Sequence, residues 1–215
     1  MTTIYKLTDQ NMQTYGGTQW VLGEERTTDG RGEMCGPGWL HAYTDPLLAV
    51  LLNPLHANIS EPRLFVGDGD IGAVDYGLKV GCTRMVLTEE ITPLPVVTET
   101  QRIRFGILCA KQVVFGAGAN SVWLRWPDAW LSGEDRTWES ADRAVREIDN
   151  ARSAAWLVLQ SIQIDRMLSV AYYAAQSATQ GGALAYSLSA VCAAVHAAPG
   201  PLNLPQIAME AVHGE

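Results

Sequence analysis

The stretch GWLHAYTDPLLAVLL, residues 38–52, decides the fold class because it carries a strand directly into a helix. Its first half is rich in large side chains that favour a strand. Thr44 or Asp45 can then cap a helix, and a proline suits the first helical position because it needs no N–H donor there. We predict a short helix over Pro46–Leu52, which ends because the residue before Pro54 is driven out of helical backbone space.

Short strands separated by turns are predicted on both sides of this stretch. The predicted strands are Thr3–Leu7, Thr18–Leu22, Arg63–Val66, Gly81–Thr88 and Arg102–Leu108. A turn is predicted at Gly67-Asp68-Gly69-Asp70, and Ala110–Val114 either continues the last strand or begins a helix. Glycines at Gly116–Asn120 indicate a flexible junction. We therefore predict a β-rich module over residues 1–120.

The C-terminal part changes to a helical pattern. Of the 58 residues from Ala141 to Ala198, 16 are alanine, the residue with the highest helix propensity. Gly181-Gly182 predicts a break before a helix from Ala183 to about Ala197, and Leu204–Val212 reads as a last helix. The predicted fold class is α+β: a small mixed or antiparallel sheet, then an alanine-rich helical part over residues 137–215.

A tryptophan-rich segment, residues 121–136, lies between these two parts. Trp123, Trp126 and Trp130 fall within eight residues. One interpretation is that they pack the β module onto the helices. The other is an exposed binding site for a partner, because tryptophan is enriched at the energetic centres of interfaces.

Charge and composition limit the function classes. The 215 residues include 23 acidic and 15 basic side chains, a net charge of −8. Such a surface repels phosphate, so we expect no direct binding to nucleic acid or to anionic membranes, and it suits a partner with a basic surface. The N-terminus MTTIYKLTDQ lacks a secretory pattern, and no apolar run reaches the roughly 18 residues of a membrane span. The four cysteines lie far apart, which is typical of reduced thiols in the cytoplasm.

No motif predicts a metal or a cofactor. His41 and His56 stand fifteen residues apart without further ligands at metal-site spacing. Asp68, Asp70 and Asp75 resemble a piece of a calcium loop, but position 12 of that loop is Lys79 instead of glutamate. The run GAGAN at 116–120 lacks the third glycine of a dinucleotide fingerprint.

The stretch Gly36–Pro46 resembles an uncharacterised domain found in bacteriophage and prophage proteins. In that domain a strand with a Gly-aromatic-His core runs into an Asp-Pro-Leu helix cap. An opening strand like Ile4-Tyr5-Lys6, the strand Arg63–Val66 and the strand Arg102–Leu108 match it too. The resemblance covers about residues 3–110 and implies a phage or mobile-element origin without an established activity.

The chain is also similar, more distantly, to ADP-ribosyltransferases. Tyr5 or Lys6, then Tyr43-Thr44, align with the strands that contact NAD in that family, and Glu89, Glu90 or Glu99 aligns with its late glutamate. The first strand here lacks the usual His or Arg, and no Gln/Glu-x-Glu pair precedes a late strand.

These observations favour a non-enzymatic protein that binds a host protein with a basic surface, such as a host defence component. An NAD-dependent transferase is the alternative, and a structural protein that forms a homodimer through its alanine-rich helices is a third. The predicted binding residues are Trp39, His41, Tyr43, Asp68, Asp70, Asp75, Trp123, Trp126 and Trp130.

Overall fold

A computed structural model describes residues 1–114, 121–159, 162–179 and 181–214. Its strands are Thr2–Thr8 (β1), Gln13–Thr14 (β2), Thr18–Gln19 (β3), Glu25–Thr27 (β4), Leu40–Ala42 (β5), Arg63–Asp75 (β6) and Lys79–Glu90 (β7). Its helices are Pro46–His56 (α1), Glu99–Val113 (α2), Ser121–Ser132 (α3), Trp138–Leu159 (α4), Ile162–Ser177 (α5), Ala183–Ala197 (α6) and Leu204–His213 (α7). A sheet followed by helices confirms the predicted α+β class.

The chain divides into two compact units. One unit contains Met1–Val97 with Asn203–Ala208, and the other contains Thr98–Leu202 with Met209–Glu215. The predicted β module extended to residue 120 because residues 102–108 were expected to form a strand. The predicted junction at Gly116–Asn120 lies outside the described residues.

The five-stranded sheet of the first unit closes on itself. Strand β1 pairs with β6, β6 pairs with β7, and the other edge of β7 pairs first with β5 and then with β4. The residue after β5, Tyr43, then exchanges two backbone hydrogen bonds of 2.8 Å with Tyr5 of β1. Strands β1, β6, β7 and β5 therefore form a ring, a small β-barrel, and closure satisfies backbone groups that an open sheet edge would leave unpaired.

Every second side chain along the strands points inward and fills this barrel. Ile4, Lys6 and Thr8 of β1 point to one face and are all buried, as period-two side-chain alternation requires. The apolar cluster of the barrel consists of Ile4, Trp20, Ala42, Phe65, Val80, Cys82, Met85 and Leu87. The enclosed face is therefore apolar apart from Lys6 and Thr8.

The predicted turn at residues 67–70 is wrong, because these residues lie inside β6. Their glycines serve close packing instead. A Cβ on Gly67 would lie 2.1 Å from the carbonyl oxygen of Val86 on β7, and one on Gly69 would lie 2.8 Å from Cys82 Sγ. Sequence inspection alone does not separate a glycine in a turn from a glycine under a neighbouring strand.

The turn of the β6–β7 hairpin lies instead at Tyr76-Gly77. Both residues have positive φ, 48° and 84°, and the amide of Leu78 donates to the carbonyl of Asp75 at 2.7 Å. Two successive positive φ angles define a type I′ turn, whose twist matches that of the flanking strands. The two strands consequently run longer than predicted.

Helix α1 begins as predicted and ends later. The Asp45 carboxylate accepts hydrogen bonds from the amides of Leu47 and Leu48, and proline occupies the first turn. The predicted end before Pro54 is wrong, since the helix continues to His56. The side chain of Asn53 exchanges two hydrogen bonds with the backbone of Ile59, which stabilises the helix end beyond the proline.

The predicted strand Arg102–Leu108 is wrong, because helix α2 occupies this segment. Thr98 and Gln101 form a reciprocal capping box at its start. The buried side chains of Phe105, Cys109 and Val113 recur every four residues, which is helical spacing. The capping box and this spacing outweigh the strand preference of the local β-branched residues.

Helices α3 to α6 complete the second unit. Helix α2 packs against α5 and α6, and α5 also packs against α4. Gly106 permits a close approach of α2 to α6, because a Cβ there would lie 3.0 Å from the carbonyl of Ser187. The predicted helix Ala183–Ala197 is confirmed. Among the described residues, none of the helices has the length and apolar character needed to cross a membrane.

Candidate functional site

Trp39, just before β5, packs against Gly72 and Gly81 on the outside of the barrel. A Cβ on Gly72 would lie 2.7 Å from the Trp39 ring, and one on Gly81 would lie 3.1 Å from it. The indole Nε1 donates to the carbonyl of Gly32 at 3.2 Å. This predicted binding residue is therefore half-buried and holds the loop before β5 against the β6–β7 hairpin.

His41 and Tyr43 lie next to each other on the outer side of β5. His41 Nε2 forms a short hydrogen bond with the carbonyl of Met34, and burial lowers the pKa of its imidazole. The Tyr43 hydroxyl lies 3.4 Å from His56 Nδ1, and the two rings stack with centroids 6.0 Å apart. Burial, with a smaller contribution from the charge of Lys79, lowers the pKa of His56 to about 4. Both imidazoles are therefore neutral at pH 7.

Lys79, the first residue of β7, joins these groups to a thiol and a carboxylate. Its Nζ lies 3.2 Å from Cys35 Sγ and 3.7 Å from Asp75 Oδ2, and the side chain is only 11% exposed. Asp75 and Lys79 both influence the pKa values of His41 and His56. The structure thus brings together a polar cluster, whose members are Cys35, His41, Tyr43, His56, Asp75 and Lys79.

Sequence reasoning selected three members of the polar cluster and missed Lys79, His56 and Cys35. Alternation along β7 places Lys79 on the same face as Gly81, but only the strand register shows that Gly81 is paired with His41. No local signal marks His56 or Cys35, because they reach the cluster through tertiary packing. Within the ranges that the structure describes, no three His, Cys, Asp or Glu residues are grouped to hold a metal ion.

The three predicted aspartates all lie on β6, which we name the β6 acidic strip: Asp68, Asp70 and Asp75. All three are partly exposed. The N-terminal ammonium lies 3.9 Å from an oxygen of Asp70, a solvent-exposed pair that contributes little stability.

The β6 acidic strip ends beside exposed apolar side chains at the end of the β6–β7 hairpin. Val74 is 63% exposed and Tyr76 is 58% exposed, on either side of Asp75. We name Val74, Asp75 and Tyr76 the hairpin tip. Large apolar side chains exposed at the end of a β-hairpin can contact a partner.

Lys6 is the one buried cation of the barrel interior among the described residues. Its Nζ donates to the carbonyl of His41 at 2.6 Å and lies 4.7 Å from the centroid of the Trp20 ring. Arg26 approaches the same ring at 5.4 Å. Burial lowers the pKa of Lys6 to about 8, and the positive charge of Arg26 adds to the effect.

Three of the residues aligned with ADP-ribosyltransferases, Tyr5, Tyr43 and Glu89, lie in one row across the sheet, because Tyr5 pairs with both Tyr43 and Val66, and Val66 pairs with Glu89. The other aligned residues lie elsewhere. Lys6 points into the barrel, whereas Tyr5 points to the opposite face of β1. Both oxygens of Glu90 accept hydrogen bonds from Arg63, at 2.9 and 2.5 Å, and this pairing lowers the pKa of the carboxyl. Glu99 belongs to the first turn of α2, in the second unit.

The three predicted tryptophans are buried in α3. Trp123, Trp126 and Trp130 are 2%, 6% and 3% exposed. The rings of Trp123 and Trp126 lie 6.1 Å apart, and the guanidinium of Arg136 lies 5.0 Å from the Trp130 ring. The interpretation of this segment as an exposed binding site is therefore wrong. These contacts are within the helical unit, and packing onto the β module stays a prediction.

Comparisons with known proteins assign no role to these residues. No protein-family model, curated protein or solved structure matches the chain.

Proposed function

We propose that this chain is a phage or mobile-element accessory protein that acts in the host cytoplasm by binding a host protein. The hairpin tip and the β6 acidic strip form the contact surface. The observation that carries the proposal is the exposure of Val74 and Tyr76 at the end of the β6–β7 ribbon. Tyrosine is enriched at the energetic centres of interfaces, because its ring offers a large contact area with few rotatable bonds.

The charge of the surface indicates the partner's chemistry. The net charge of −8 and the carboxylates of Asp68 and Asp70 favour a partner with a basic surface, such as a nucleic-acid-binding component of host defence. Asp75 pairs with the largely buried Lys79, whereas the pair of Asp70 with the N-terminal ammonium is solvent-exposed, so we expect Asp68 and Asp70 to contribute more to partner attraction. The resemblance of Gly36–Pro46 to a prophage domain supports the proposed origin.

Affinity capture from host lysate tests the proposal with a matched pair of variants. Tyr76→Ser removes the aromatic ring from the hairpin tip, and Tyr15→Ser removes a fully exposed ring from the β2–β3 turn. We expect a specific partner to be captured by the wild type and by Tyr15→Ser, and to be lost with Tyr76→Ser. Equal capture by both variants would refute the assignment of the contact surface.

Charge reversal provides a second arm of the same experiment. Asp68→Lys with Asp70→Lys should slow association with the partner and reverse the salt dependence of binding. An unchanged association rate in low salt would refute the contribution of the β6 acidic strip. The hairpin tip could still be correct in that case, since Tyr76→Ser tests it separately.

Self-association through the helices is a second candidate function. Leu184 and Tyr186 lie two residues apart on α6 and are 47% and 36% exposed, so they offer apolar surface to a second copy of the chain. Light scattering tests this candidate: we expect a dimer that Leu184→Glu dissociates. A monomer over the whole accessible concentration range would refute it.

A further inference from the structure

Cys35, in the loop before β5, is an exposed thiol in contact with an amine. Of the other three cysteines, Cys82 and Cys109 are buried and Cys192 is half-buried. Small oxidants reach an exposed thiol, whereas buried structural thiols are inert. The Nζ atom of Lys79 lies 3.2 Å from Cys35 Sγ. Cys35 therefore combines access from solvent with a nitrogen nucleophile at contact distance.

Hydrogen bonds hold the loop on both sides of this thiol. The carbonyl of Met34 bonds to Nε2 of His41, a residue of β5. The amide of Gly36 donates to the carbonyl of Glu33 at 2.8 Å and closes a tight turn. Because both chain neighbours of Cys35 have a bonded backbone group, the sulfur keeps its position over the amine.

Lys79 is held from the opposite side by Asp75. The lysine side chain is 11% exposed, and its Nζ lies 3.7 Å from Asp75 Oδ2. A buried lysine side chain has lost most of its rotamer freedom. Reacting atoms about 3–3.5 Å apart are already at the distance from which bond formation proceeds. The sulfur and the nitrogen are therefore positioned to react without rearrangement of the strands.

We propose that Cys35 and Lys79 are a modification site for hydroperoxides and form a reversible sulfenamide, a covalent S–N bond. The thiol first takes one oxygen from hydrogen peroxide, which gives a sulfenic acid and one water. The lone pair of the lysine nitrogen then attacks the sulfur, the S–O bond breaks, and the hydroxyl leaves with one proton of the nitrogen as a second water. The thiol is oxidised by two electrons, and the peroxide is reduced to water.

The Asp75 carboxylate assists the second step. An ammonium must lose a proton before its nitrogen can attack, and the carboxylate beside Nζ accepts that proton through one water. A sulfenic acid can also react with a backbone nitrogen. The amide of Gly36 is a weaker nucleophile than an amine and already donates within its turn, so Lys79 is the favoured nitrogen. The bond joins two segments that are 44 residues apart in the sequence.

Mass spectrometry of the full-length protein, treated with one equivalent of hydrogen peroxide, tests this proposal. We expect a product that is lighter than the reduced protein by two hydrogen atoms, about 2 Da, and dithiothreitol should restore the original mass. Trypsin cuts after lysine and arginine, and it should fail to cut after the modified Lys79. The digest should then contain residues 32–63 joined to residues 64–84.

Two variants separate the reaction at Lys79 from general oxidation. Lys79→Arg keeps the positive charge, but a guanidinium stays protonated and cannot attack, so Cys35 should remain a sulfenic acid that dimedone labels. Lys111→Arg changes a lysine of the helical unit and should give the same bridged product as the wild type. Circular dichroism checks that both variants fold, and the wild-type digest is decisive by itself.

Three results would overturn the proposal. One is a wild-type digest in which residues 32–63 remain unlinked after the oxidation of Cys35. Another is equal dimedone labelling of Cys35 in the wild type and in Lys79→Arg. The third is a product about 2 Da lighter in Lys79→Arg, which would place the bond on a backbone nitrogen.

Discussion

Replacing Lys6 by methionine tests the electrostatics of the barrel interior. Lys6 is 7% exposed, and its ammonium contacts the His41 carbonyl and the Trp20 ring. Burial lowers its pKa from 10.5 to about 8. Methionine has a similar length and removes the charge, so it isolates the effect of protonation.

The size and sign of the effect follow from the linkage between protonation and folding. Because a pKa difference of one corresponds to about 1.36 kcal/mol, the charged form of Lys6 destabilises the fold by about 3 kcal/mol at pH 7. Below the pKa of Lys6 in the folded protein, both the folded and the unfolded chain keep the proton, and the full free-energy cost of the buried charge is present. Between about pH 8 and the pKa of Lys6 in the unfolded chain, only the unfolded chain keeps the proton. The contribution of Lys6 to stability therefore rises with pH in this range.

Urea unfolding of both proteins at two pH values measures this contribution. We expect the free energy of unfolding of the wild type, minus that of Lys6→Met, to rise by about 2 kcal/mol from about pH 7 to pH 9.5. Burial raises the pKa of the Cys109 thiol, and its opposite trend is present in both proteins and cancels in the difference. Burial also raises the pKa of the Cys82 thiol, but the charge of Lys6 lowers it, so both proteins carry Cys82→Ala in this comparison.

A second lysine supplies the control. Lys111→Met, which removes a surface ion pair with Asp128, is the control for the loss of a lysine charge elsewhere in the fold. A difference between wild type and Lys6→Met that stays constant with pH would refute the reasoning. It would mean that the interior stabilises the ammonium as well as water does.

Three further substitutions test the fold. Gly67→Ala should destabilise the barrel by more than about 2 kcal/mol or prevent folding, because its Cβ would lie 2.1 Å from the Val86 carbonyl oxygen. Asp45→Ala should cost about 1 kcal/mol, since two amides at the start of α1 lose their acceptor. Thr98→Ala should cost about 1 kcal/mol by opening the capping box of α2. Thermal and urea unfolding measure all three.

Matched replacements at unconstrained positions give the baseline for these measurements. Gly200→Ala should be nearly neutral, because a Cβ there meets no atom within 4 Å. Equal stability of Gly67→Ala and Gly200→Ala would contradict the close approach of β6 to β7. Retention of full stability in Asp45→Ala or Thr98→Ala would show that water replaces the cap at no cost.

Local signals in the sequence predicted much of the fold. Asp45 and the adjacent proline correctly marked the start of α1, and the paired glycines at 181–182 correctly marked the start of α6. Closure of the barrel depends on the pairing of Tyr5 with Tyr43, which are 38 residues apart in the sequence, and no local pattern contains that information.

The candidate site was predicted in part for the same reason. His41 and Asp75 stood out by residue type, but their neighbour Lys79 is identified only once the register of β6 and β7 is known. The β-branched and aromatic residues near Phe105 suggested a strand, and the helix there depends on a cap and on packing. Sequence patterns thus identified residues with polar or charged side chains better than they identified the residues that contact them.

Site-specific photocrosslinking tests the proposed contact surface most directly. The photoreactive residue p-benzoylphenylalanine replaces Tyr76 in one variant and Tyr15 in the other, and both proteins are irradiated in the cells that normally produce the chain. The hairpin tip as the contact surface predicts a crosslinked adduct with one host protein from position 76 and none from position 15. No adduct from position 76, or the same adduct from both positions, would contradict it.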